Sequence, residues 1–62
     1  MKFQELKNRV IHKLSWHGWD TLESDINKCR SWVELVKVLE NGYGFDKQGS
    51  LHIIFSSIID DI

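Results

Sequence analysis

Along this chain the apolar residues recur at helical spacing, and four segments carry the pattern. Phe3, Leu6, Val10, Ile11 and Leu14 fall at i, i+3, i+7, i+8 and i+11, one face of a 3.6-residue period, which predicts a helix over 3–15. Gly18 breaks that pattern. Leu22, Ile26 and Cys29 at i, i+4 and i+7 then predict a short helix near 21–29, opened by the cap pair Asp20 and Glu23. The third segment is the most legible. Ser31 with Glu34 forms a capping box, in which the hydroxyl takes the Glu34 N–H and the carboxylate returns to the N–H of Ser31. Asn41-Gly42 supplies a stop, so the helix runs over 32–41. At about 100° per residue its apolar positions, Trp32, Val33, Leu35, Val36, Val38 and Leu39, sweep an arc of roughly 220°. An arc that wide calls for cover on two sides.

The three glycines of 42–49 and the polar residues beside them predict a loop, with Tyr43 and Phe45 folded back as plugs. Beyond it, Leu51, Ile54, Phe55, Ile58, Ile59 and Ile62 keep helical period over twelve residues, with Ser50 available as a cap. A strand through 51–55 is the competing reading, because His-Ile-Ile-Phe is rich in strand formers, but alternation fails at Ile53-Ile54. The last helix is therefore placed near 51–61. Together these segments predict an all-α fold, a small bundle of three to four short helices with the third central, as one domain over 1–62. The expected core is Leu6, Val10, Leu14, Ile26, Trp32, Leu35, Val36, Leu39, Ile54, Phe55 and Ile58.

Length changes this picture by limiting what the core can do. A chain of 62 residues holds one domain. Its core supplies no more than about 3–5 kcal/mol without a disulfide, a metal or a partner. Cys29 is the only cysteine, which excludes an internal disulfide and predicts a reduced, packed thiol. There is no continuous apolar run of signal-peptide or membrane-spanning character, so the expected location is cytoplasmic. Net charge is −1, which gives no bulk attraction to nucleic acid or to an anionic membrane. Residues 1–31 carry a net +2 and residues 32–62 a net −3, a mild asymmetry. Lys2, Arg9 and Lys13 line one flank of the first helix, and Lys7 projects into its apolar face, from whose edge it is expected to snorkel.

Candidate chemistry is thin. His12, His17, Cys29 and His52 lack the close ligand pairs that structural zinc sites use, and His12 and His17 point about 140° apart on a helix, so no metal is expected. Asp20, Glu23 and Asp25 read as cap and first-turn carboxylates, and Cys29 has no base fixed beside it. Gly42-Tyr43-Gly44 lacks the strand and third glycine of a phosphate cradle, so neither catalysis nor a cofactor is expected.

Binding remains. Trp16 and Trp19 flank His17 in and beside a turn, where two indoles are hard to bury in so small a core, and tryptophan is enriched at binding hot spots. Ile53 lies opposite the apolar stripe of the last helix and could join them in a patch. The expectation is a small non-enzymatic regulator, an adaptor or inhibitor that binds a larger protein and could self-associate, with Trp16, His17, Trp19, Arg9, Lys13 and Ile53 as its contacts. The alternative is a DNA-binding helix-turn-helix, suggested by the tight corner at 30–31. Its reading face would carry Glu34, Lys37, Glu40 and Asn41, and two carboxylates there oppose phosphate.

Overall fold

The computed structural model describes residues 2–19 and 21–59. It is all-α, with α1 Phe3–Trp16, α2 Glu23–Lys28, α3 Trp32–Tyr43 and α4 Lys47–Ile59, and no strand among the described residues. The helical reading of 51–55 holds. The radius of gyration is 10.2 Å, close to the ~10.5 Å of an ordinarily packed chain of this length. Side chains left open to solvent are therefore not a product of loose packing.

The helix ends follow from local chemistry. After α1 the chain closes a Schellman turn: Gly18 N–H donates to Ser15 O at 2.9 Å and Trp19 N–H to Leu14 O at 3.1 Å, with Gly18 at φ +79°. α3 begins at Ser31, whose hydroxyl accepts from Glu34 N–H at 3.3 Å. The Glu34 carboxylate reaches one residue further back than a capping box requires, accepting from Arg30 N–H at 2.9 Å. The expected stop at Gly42 moves to Gly44, where φ is +73° and the N–H closes on Glu40 O at 3.0 Å. Gly42 stays inside the helix and serves packing there, since a Cβ at this position would collide with the Leu22 side chain that lies against it.

Two further boundaries differ from expectation. α2 starts at Glu23 behind Leu22, which offers no side-chain cap, so the helix is shorter than 21–29; Asp20, its expected cap, lies outside the described residues. α4 starts four residues earlier than expected. Asp46 caps it, its Oδ1 accepting from Gly49 N–H at 2.6 Å and its carbonyl from Ser50 N–H at 3.0 Å. Ser50, expected as the cap, is instead fully buried within the helix.

The four helices close a ring, in which α1 meets α2 and α4, α3 meets α2 and α4, and the α1–α4 contact is the most extensive. This corrects the expectation that α3 lies between α1 and α4, which pack directly on each other. The core is Leu6, Val10, Leu14, Ile26, Cys29, Leu35, Val36, Leu39, Ile53 and Ile54. Three expected core residues depart from it: Trp32 and Phe55 are exposed, and Ile58 is half-buried. Ile53, expected outside, is 7% exposed and belongs to the core.

The cause is the rotation of α4. Its buried face is Ser50, Ile53, Ile54 and Ser57, whereas its apolar stripe centres about 120° away on the helical wheel. The two buried hydroxyls satisfy themselves within the helix: Ser50 Oγ donates to Asp46 O at 3.0 Å and Ser57 Oγ to Ile53 O at 2.7 Å. Both serines lie on the buried face of a helix whose most extensive contact is with α1. Burial of Lys7, 6% exposed, is the other departure: its Nζ donates to Asn27 O and Cys29 O, each at 3.0 Å, so it stops the carbonyl end of α2 and does not snorkel to solvent.

Candidate protein-binding surfaces

Two exposed apolar surfaces stand out, one read from the sequence and one not. The first is the turn after α1. The Schellman turn holds Trp16, His17 and Trp19 on one side of the chain end: His17 stacks on Trp19 with ring centroids 4.9 Å apart and meets Trp16 edge-on at 5.2 Å. Trp19 also lies 5.4 Å from Phe45 and 6.1 Å from Tyr43, which stack on each other at 5.3 Å. Tyr43 and Phe45 therefore do fold back, against an indole as well as the core. Trp16 is 61% exposed and is the open edge of this cluster.

The remaining expected contact residues do not join it as expected. Lys13 is buried, Arg9 is half-buried, and of the basic flank only Lys2 is exposed. A continuous basic stripe is thus absent, because α1 turns that flank partly into the bundle. Ile53 is in the core and cannot extend the patch.

The second surface runs along the α3–α4 groove. Trp32 lies against Phe55, ring centroids 5.8 Å apart, and beside this contact a groove opens between α3 and α4. Val33 is 64% exposed, Phe55 48% and Ile59 76%. The groove itself holds about 320 Å³ between Trp32, Val33, Val36, Lys37, Glu40, Lys47 and Leu51. Its lining combines Trp32 and three aliphatic side chains with two lysines and a glutamate.

Comparison with protein-family models, curated proteins and solved structures finds no match.

The surfaces themselves must therefore carry the functional reading. Among the described residues, no three of His, Cys, Asp and Glu gather in a group able to hold a metal. Cys29 is buried, its Sγ donates to Asp25 O at 3.4 Å, and burial, followed by the Glu34 charge, pushes its thiol above the ordinary value of 9.0. A protonated, enclosed thiol is a packing group and not a nucleophile. His12, His17 and His52 are exposed. No helix among the described residues is long and apolar enough to cross a membrane. What the arrangement offers is apolar contact.

Sequence reasoning missed the α3–α4 face because it sent every apolar stripe inward. Two signals were present. The 220° arc of α3 is more than a ring of short helices can cover. Ser50 and Ser57, seven residues apart and straddling Ile53-Ile54, mark a narrow seam on the other side of α4.

Proposed function

We propose that this chain is a small non-enzymatic protein-binding regulator, acting as an adaptor or inhibitor in the cytoplasm, and that its working surface is the α3–α4 face. One observation carries the reading: α4 buries Ser50 and Ser57 and leaves Phe55, which lies against Trp32, and Ile59 exposed, while Val33 on α3 is exposed as well. Exposed apolar patches on this scale mark interaction sites, and a central aromatic in such a patch is the residue type that dominates binding energy. The turn with Trp16 is a second, smaller contact region, since its rings already satisfy one another except at the Trp16 edge. The DNA-binding alternative draws no support from α3, whose open residues include Val33 and Glu34.

The test is Val33→Asp combined with Ile59→Asp, two exposed positions where the fold tolerates charge. The variant should keep its helical circular dichroism and lose its partner, read as stoichiometric bands in a nuclease-treated pull-down and as complex mass in light scattering. Retention of the same complex by the folded variant would remove this face from the reading.

A further inference from the structure

We infer that Asn41 is a site of spontaneous covalent modification, at which the side-chain amide is lost through a succinimide formed with Gly42, and that the packing of Leu22 on Gly42 holds this reaction off. The site lies on the α2–α3 side of the molecule and is independent of what the α3–α4 face binds.

Asn-Gly is the pair in which the ring closes most readily, because glycine carries no Cβ to hinder its own nitrogen. The step needs no cofactor and no oxidant. The Gly42 nitrogen gives its proton to water and attacks Asn41 Cγ; a Cγ–N bond forms, the Cγ–Nδ2 bond breaks, and Nδ2 takes up a proton and leaves as ammonia. Water then opens the ring at one carbonyl or the other, leaving aspartate or isoaspartate at position 41.

The fold opposes this chemistry at both reacting atoms. Gly42 lies inside α3, where a backbone N–H points along the axis to the carbonyl one turn back and is not free to be lost. On the same helix the Cα–Cβ bond of Asn41 leans toward the N-terminus, which carries Cγ away from the Gly42 nitrogen. The ring closes only when the last turn of α3 comes undone.

That turn is wound against its own sequence, since Asn-Gly reads as a helix stop. Three features hold it. Leu22 sits where a Gly42 Cβ would stand. The Gly44 N–H closes on Glu40 O at 3.0 Å. Tyr43 stacks on Phe45 at 5.3 Å and lies 6.1 Å from Trp19. Of these, only Leu22 rests on a reacting residue, and its hold is conditional: it opens α2, which has six residues and no side-chain cap. When α2 lifts, Gly42 loses its cover. Asn41 is exposed and lines the open groove between α2 and α3 with Leu22, Asp25 and Lys37, so water reaches it.

Conversion runs one way. A carboxylate at position 41 stands beside Glu40 at the negative end of α3, and an isoaspartyl linkage adds a carbon to the main chain. Both loosen the turn that held the reaction off, so a chain that has opened is marked as one.

The experiment follows amide loss in the full chain at neutral pH, folded and in guanidinium chloride, by mass spectrometry of the tryptic segment 38–47 with isoaspartate located by fragmentation. Reaction through an opened state proceeds in proportion to the open population, so the unfolded chain should convert at least ~10-fold faster than the folded one, and folded Leu22→Ala at least ~3-fold faster than folded wild type. Should Leu22→Ala lose its helical circular dichroism, Leu22→Val carries the same test, since it also withdraws the Cδ1 atom that meets position 42. Equal rates in folded and unfolded wild type overturn the inference, as does a folded Leu22 variant that keeps the wild-type rate. Aspartate without isoaspartate at position 41 overturns it too, because direct hydrolysis then replaces ring closure.

Discussion

Lys7 shows how much a single side chain does in a molecule this small. Its ammonium replaces the water that would otherwise satisfy two carbonyls at the end of α2, and its ring contact with Phe3, 5.2 Å to the centroid, holds it there. Lys7→Met keeps the stem but strands both carbonyls, so it should cost about 2–3 kcal/mol, read as a lower urea midpoint with an unchanged slope. Cys29 makes the opposite kind of prediction. Because its folded thiol titrates above the ordinary value of 9.0, the unfolded chain ionises first as the pH rises. Stability from this group is whole below the unfolded value and is lost as the pH climbs through the raised folded one. Urea midpoints measured from pH 7 to 10 should fall more steeply for wild type than for Cys29→Ala, and native alkylation at pH 8 should be slow. Gly44 is conformational: Gly44→Ala has open space but a φ of +73°, so it should cost about 1–2 kcal/mol and Gly44→Asn less.

At the scale of the element, α4 decides the character of the protein. If its buried side is Ser50, Ile53, Ile54 and Ser57, then Ser57→Leu overfills a closed seam and should destabilise by about 1–3 kcal/mol. Ile59→Asp, at a site 76% exposed, should leave the unfolding of the monomer within about 0.5 kcal/mol. Were the apolar stripe inside, the two variants would exchange places, so a pair of thermal melts separates the packings. The same helix shows what the sequence could and could not convey. Helix existence was legible for all four segments, because period and caps are local properties. Leu6, Val10, Leu14, Ile26, Leu35, Val36, Leu39 and Ile54 were legible as core for the same reason. Which side of α4 is buried was not, since it depends on neighbouring helices that the local pattern does not contain. The Trp16, His17 and Trp19 cluster was legible as an exposed turn; Lys13 and Ile53 failed as members because burial is set by the ring of helices and not by the wheel of one.

At the scale of the whole molecule, four short helices in a ring have no central element, and the interior is defended by a few fully enclosed residues. Leu35→Asp should abolish the thermal transition, since an unpaired charge at a fully buried position costs several kcal/mol, a large share of what a core of this size provides. The ring also orders events in time. α2 has six residues, too few to hold itself together, and its carbonyl end is stoppered by a lysine belonging to α1. It therefore depends on its neighbours to persist, so the amides of 23–28 should surrender to deuterium ahead of every other helix, and Lys7→Met should hasten theirs most.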